Sequence, residues 1–429
     1  MRGAVITAAA QRVGTRARFA YGLLGLPLAM AALPLYVHLP KFYGDHLGVS
    51  LTALGFVLLA LRLADGVIDP LLGAWSDRAP SRKRLIGLAM PVLAAGIAVL
   101  FLPAGRSEAA LLAWMGVSLA LVYVAFSVAT INHNAWGAEL AQDPVERTRI
   151  TATREGLALA GVVVASLAPG WLGGAGGDSA GLPRFALAFA ALALVCTACS
   201  LAWAPAGTRE RTAAPLARDV GAPLSDPAFR RLLLAFVLNG IASAIPATLV
   251  LFFVADVLQA EARQGEFLAL YFVAGAAGMP LWVRLSARIG KVNAWRAAML
   301  AAVVAFVWAS RLGAGAVVPF AVICVLSGLT LGADLALPPS LLADVIGRRG
   351  AMRSTGAYFG LWTLATKLNL ALAAGIALPL LGALGYAPGG RAPQALSALA
   401  LVYAAVPCAL KLAAVVALGA FDARWKRTA

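Results

Sequence analysis

The sequence predicts an all-α integral membrane protein of twelve transmembrane helices in two six-helix halves, and three observations carry that prediction. Hydrophobic residues make up 61% of the 429-residue chain and charged residues 13%, well outside the range of a soluble globular domain. Apolar windows recur near 18–40, 50–74, 85–104, 109–134, 152–172, 183–204, 230–257, 264–286, 293–312, 315–343, 354–382 and 395–421. Each is long enough to cross about 30 Å of hydrocarbon as a helix. One long polar stretch, 205–231, follows the sixth window. It separates an N-terminal half, 1–204, from a C-terminal half, 232–429, as a central cytoplasmic loop.

A net charge of +16 raises the question of nucleic acid, and the placement of the charges answers it. Lys and Arg gather at the N-terminus, in the even-to-odd loops and at the C-terminus, in runs such as "SRKR", "RRG" and "RWKR". Lys41, Arg106, Arg184, Arg263, Arg311 and Arg391 fall on the opposite side. By the positive-inside rule both termini are expected in the cytoplasm, with the chain multi-pass in the inner (plasma) membrane. No nucleic-acid partner is expected.

Taken in order, the first window follows a basic leader without a cleavable pattern, so it is expected to stay as a helix; Tyr36 and His38 are its polar residues. The second, "LRLADGVIDPLLGAWSDRAPSRKR", carries Arg62, Asp65 and Asp69 inside an apolar run. At about 100° per residue, Asp65 lies some 60° from Arg62, and Asp69 about 20° from it, so all three share one sector. Paired carboxylates one turn apart offer hard oxygen ligands to Na⁺, or crowded negative charge that retains a proton. The alternative is a static ion pair between Arg62 and a carboxylate. The fourth window ends in "TINHNAW", which sets Asn132, His133, Asn134 and Trp136 on one helix. Amides bond sugar hydroxyls in both directions and an indole stacks on a sugar's apolar face, although an interfacial belt or a packed core also explains Trp136, and His133 reads as a hydrogen-bonded helix residue rather than a proton carrier. The sixth holds Cys196 and Cys199 in "LVCTACSLAW", with no second pair and no His, so they read as small packing residues. The tenth carries Asp334 in mid-span, and the eleventh carries Trp362, Thr363 and Lys367. An intramembrane carboxylate or ammonium is costly to keep without a use.

The halves echo each other. "GAWSDRAPSRKR" after the second window matches "VRLSARIGKVNAWR" after the eighth, and "AELAQDPVERTRITATREGL" matches "ADVIGRRGAMRSTGAYFGL", which aligns Glu139 with Asp344. Such parallel repeats around a midplane site are the architecture of the major facilitator superfamily. Asp77, Glu139, Arg147, Arg149 and Asp344 then stand at a cytoplasmic gate, with the carboxylates pairing nearby arginines. No G-x-x-x-x-G-K-[ST], H-E-x-x-H or G-x-S-x-G motif occurs, which leaves an ion gradient rather than ATP as the energy source and argues against an enzyme.

Four blocks carry a closer resemblance: "RLADGVIDPLLGAWSD", "WGAELAQDPVERTRITATREG", "ADLALPPSLLADVIG" and "FGLWTLATKLNLALAAGIALPLLGALGY". They resemble the glycoside–pentoside–hexuronide:cation symporters over nearly the whole chain. The resemblance implies that Asp65 and Asp69 bind the coupling cation beside Arg62, that Lys367 faces the same cavity, and that the loop from Glu146 to Arg149 serves conformational coupling. Departures are equally specific. Where melibiose-type members hold sugar with carboxylates in helices I and IV, this chain has Ala29 and Asn132; where they place an asparagine between the helix II aspartates, it has Ile68. Asn132 is therefore retained only as an auxiliary cation or solute ligand, and H⁺ competes with Na⁺ as the coupling ion. The expected function is cation-coupled symport of a sugar or glycoside-like solute by a monomer, with no cofactor. The rivals are a carrier of a lysolipid or drug and a non-transporting scaffold or sensor.

Overall fold

The computed structural model describes residues 13–39, 42–105, 107–174, 177–207, 216–386 and 390–425. Among these the regular structure is entirely helical. The long elements are α1 (Thr15–Gly22), α2 (Gly25–Leu33), α3 (Leu51–Ser76), α4 (Arg82–Leu100), α5 (Glu108–Glu139), α6 (Pro144–Gly173) and α7 (Gly177–Trp203). They continue as α8 (Leu216–Ser225), α9 (Pro227–Phe252), α10 (Gln264–Ile289), α11 (Lys291–Phe306), α12 (Val317–Arg348), α13 (Thr355–Ala383) and α14 (Pro393–Trp425).

Ten of the helical stretches among the described residues are long and apolar enough to cross a membrane. The first two expected windows differ for a physical reason. The first is not one helix: it breaks between α1 and α2 and then runs into two π-helical turns, Pro34–His38 and Phe42–His46. The second, α3, is continuous but carries three charged side chains along its apolar length. The loop expected at 205–231 also carries structure, namely α8 and the first turn of α9. Two Asp-Pro pairs start long helices: Asp143 accepts from the Glu146 N–H at 2.8 Å and Asp226 from the Ala228 N–H at 2.9 Å. Each is followed by a proline at the first helical position, where no N–H is needed.

The chain divides into two compact units, residues 1–65, 72–213 and 346–356, and residues 66–71, 214–345 and 357–429. In the first, α4 packs on α5 and α7, and α6 packs on α2 and α7. The α2–α6 contact is close because of glycine: a Cβ at Gly161 would come within 2.2 Å of the Leu26 carbonyl oxygen, and one at Gly25 within 2.6 Å of the Arg154 carbonyl oxygen. In the second unit α14 packs on α9 and α11. Outward-facing positions such as Phe56, Val67, Leu88, Trp171 and Val416 are large, apolar and exposed, as a protein solvated by lipid requires.

One internal repeat was not legible in the sequence. "FYGDHL" after α2 and "FVADVL" after α9 both form a π-helical turn starting at a phenylalanine. Leu47 N–H donates to the Phe42 carbonyl at 3.2 Å, and Leu258 N–H to that of Phe253 at 3.1 Å. Both turns lead into left-handed backbone, at Gly48 (φ 71°) and Gln259 (φ 54°).

Candidate functional site

The α3 carboxylates are both buried, and each meets a different partner. In the first unit Asp65 accepts a hydrogen bond from Ser127 Oγ of α5 at 3.0 Å, and Tyr123 of the same helix stands beside Arg62 and Asp65. Arg62, Asp65, Ser127 and Tyr123 thus form one polar group between two helices. In the second unit, which takes in residues 66–71 of α3, Asp69 is fully buried, and Lys367 Nζ of α13 lies 2.8 Å from its Oδ2. Pro70, lacking an N–H, leaves the Gly66 carbonyl without its usual helical donor. A carboxylate at zero exposure inside a membrane stays ionised only when a cation or strong donors offset its desolvation, and Lys367 supplies that cation.

Asn132 does not join this group. Its amide donates to the Val128 carbonyl at 2.8 Å, and its Oδ1 accepts from Arg82 Nη1 at 3.2 Å. The residue that α5 offers Asp65 is Ser127, about a turn and a half away, because helical spacing places the two on different levels. His133 is likewise engaged locally. Tyr21 OH donates to the His133 carbonyl at 2.9 Å, while His133 Nε2 meets the Tyr21 carbonyl at 2.9 Å. Trp136 packs edge-on to Tyr21 and donates from Nε1 to the Pro205 carbonyl at 3.0 Å. Asn134 accepts from Arg154 Nη1 at 2.5 Å, and Arg154 is ion-paired with Glu155. These four residues, expected in a cavity, meet partners on α1, α4, α5 and α6 and at Pro205. His38 is buried, and the side chain of Tyr36 lies outside the described residues.

At the expected gate, the organising residue is Arg82, the first residue of α4. Its guanidinium contacts Asp77 at 2.6 Å, Glu139 at 3.1 Å, Ser76 Oγ at 2.8 Å and Asn132, all within the first unit and all buried. Asp77 also accepts from the Gly356 N–H at 2.7 Å. Arg147 donates to the Ala141 carbonyl at 2.8 Å and its guanidinium lies against Gly347; Arg149 pairs with Glu146 at 3.4 Å on a largely exposed side chain. In the second unit the equivalent of Arg82 is Lys291, the first residue of α11, at 2.5 Å from Asp344. Lys291, like Arg82, belongs to a basic loop run and pairs with the carboxylate expected at the gate. The repeats use one device twice, a cation at the start of one helix clamping a carboxylate near the end of another.

Asp334 is not beside Lys367. It accepts from Trp295 Nε1 at 2.8 Å and from Lys411 Nζ at 2.9 Å, and Lys411 also donates to Asn239 Oδ1 at 2.7 Å. Trp362 stacks on Phe236 with ring centroids 3.8 Å apart, and Thr363 donates to the Phe359 carbonyl of its own helix at 2.9 Å. Sequence reasoning missed Arg82, Lys291, Arg154 and Lys411. The first two stand in basic loop runs that read as orientation signals; Arg154 lies near the start of the fifth apolar window, and Lys411 is a lone lysine in the twelfth.

All-helical architecture, repeated apolar spans and charged groups buried between them define an integral membrane protein. Residues 18–422 match the MFS/sugar transport protein family, and the chain belongs to that family. No curated protein matches the sequence. Among solved structures, a bacterial homologue of the iron transporter ferroportin in an outward-facing state is similar, with a TM-score of 0.73 and 18% identity over 95% of this chain and 100% of that one. The Escherichia coli fucose:proton symporter gives 0.67 and 16%, covering 92% of this chain and 98% of that one. The human organic anion transporter TETRAN gives 0.65 and 20%, covering 95% and 99%. At these identities the likeness is one of fold, the major facilitator fold.

Proposed function

We propose that the protein is a cation-coupled symporter of a sugar or glycoside-like solute, working by alternating access, with both termini in the cytoplasm. The observation that carries the coupling is the fully buried Asp69 with Lys367 at 2.8 Å. A cation arriving at Asp69 competes with the ammonium for the same oxygen, so cation binding and the Lys367 contact are mutually exclusive. That exchange gives α3 and α13 two alternative arrangements, which is what a transport cycle needs from its ion site. H⁺ is the preferred ion: Ile68 supplies no oxygen, and Na⁺ requires several. A sugar-like solute is supported by the family description and by the fold neighbour that is a fucose:proton symporter.

One observation favours a second reading, a carrier of a non-sugar solute such as a lysolipid or drug. Asn132, at the position of the related family's second sugar carboxylate, is occupied by Arg82 and the Val128 carbonyl. Uptake into proteoliposomes separates the two readings, using labelled monosaccharides, aryl glycosides and lysophosphatidylcholine under imposed H⁺ or Na⁺ gradients. Accumulation of a sugar or glycoside driven by a pH gradient and indifferent to Na⁺ is expected. Asp69→Asn is expected to lose uphill accumulation and retain exchange. Full uphill transport by that variant refutes the ion-site assignment.

A further inference from the structure

We propose that Asp334 and Lys411 form a second proton-binding site, contained within the second unit, where Asp334 takes up and releases a proton as its contact with Lys411 breaks and re-forms. The proposal rests on the reading of the protein as a coupled transporter. Asp334 lies near the middle of α12 and Lys411 near the middle of α14, so both charges sit deep in apolar spans. Such residues mark ion or proton pathways more often than they serve packing, since a buried pair can generally be replaced by apolar groups without loss of stability.

The fold itself does not require a charge here. The repeat alignment that pairs Glu139 with Asp344 sets Ala129 of α5 against Asp334, and Ala129 is fully buried in the first unit. An apolar side chain suffices at that level of the equivalent helix. The pair is also equipped for two states. Lys411 Nζ bonds Asp334 Oδ2 at 2.9 Å and Asn239 Oδ1 at 2.7 Å, so the amide keeps the ammonium bonded when the carboxylate is neutral. Trp295 Nε1 donates to the other carboxylate oxygen at 2.8 Å and leaves Oδ2 as the oxygen that changes partner. Neither side chain is sealed: Lys411 keeps 12% of its surface and Asp334 13%, whereas Asp69 has none.

Among the described residues, the other titratable groups facing the pair are neutral when protonated. Tyr271 of α10 lies in the field of Asp334, Cys324 of α12 and Tyr403 of α14 lie by Tyr271, and Cys408 of α14 lies by Lys411. The step balances simply. One proton from water adds to Oδ2, the contact with Lys411 is lost, and the cluster goes from neutral to singly positive. Release of that proton to water restores the contact.

Infrared difference spectroscopy of the full-length protein in lipid tests this, with protons as the probe. Lowering the pH should produce a carboxylic-acid C=O band that is absent in Asp334→Asn and present in Asp69→Asn. Lys411→Gln, which removes the opposite charge, should move the midpoint of that band up by about one to three pH units. If Asp334→Asn fails to fold, the Asp334→Asn/Lys411→Gln variant, which buries no lone charge, takes its place. A spectrum unchanged by loss of Asp334, or a midpoint indifferent to Lys411→Gln, overturns the proposal and leaves a permanent tether. Because the band needs no solute, its loss is distinguishable from failure of Asp69-dependent uphill transport.

Discussion

Arg82→Met should be among the most destabilising single substitutions in the chain, although Arg82 stands in a basic run that resembles an ordinary topology signal. The guanidinium is 2% exposed, and it neutralises Asp77 and Glu139, themselves 0% and 1% exposed. Truncation removes the cation from both carboxylates and the donors to Ser76 Oγ and Asn132 Oδ1. Breaking one buried pair by removing a single partner costs about 3–5 kcal/mol. Asp77 retains the Gly356 N–H and so recovers part of its loss. The two effects are not additive, and a net cost of about 4 kcal/mol is expected. Equilibrium unfolding of the purified protein in mixed micelles measures it. The variant Arg82→Met/Asp77→Asn/Glu139→Gln carries no stranded charge and should recover most of the loss. A cost below about 1 kcal/mol for Arg82→Met, the range of a solvated pair, would refute the reasoning and imply that water reaches the cluster.

The same logic applied to Lys291→Met predicts a smaller cost than for Arg82→Met, because one carboxylate rather than two loses its cation; equal costs in the same unfolding assay would argue against the parallel between the repeats. Lys367→Leu should impair expression and transport by removing the ammonium from Asp69, by about 3–5 kcal/mol, and adding Asp69→Asn should restore folding but not uphill coupling. A double-mutant cycle checks this: strict additivity would mean that the two do not act as a pair. Tyr386→Phe removes the hydroxyl that donates to the buried Asp256 at the π-helical end of α9, and should cost about 1.5–3 kcal/mol in the same assay, as expected for a hydrogen bond to a charged group.

The sequence by itself determined the class and fold of this protein, because burying apolar side chains in lipid demands long uninterrupted apolar windows, and those windows are visible as composition. It also singled out Asp65, Asp69, Asp334 and Lys367, since a charge inside such a window is conspicuous wherever it falls. The tertiary structure alone decided which of these charges meet. Asp69 goes to Lys367 and Asp65 to Ser127, while Asp334 goes to Lys411 rather than to Lys367. Partner choice depends on which helix faces pack together and at what depth, and helices distant in sequence carry no mark of that. Asn132 shows the limit from the other side: the family resemblance set it among the cation or solute ligands, but its level on α5 brought it to Arg82. Arg82 and Lys291 were hidden for the opposite reason, because a charge that sets topology and a charge that clamps a buried carboxylate look the same until the end of another helix is brought to it.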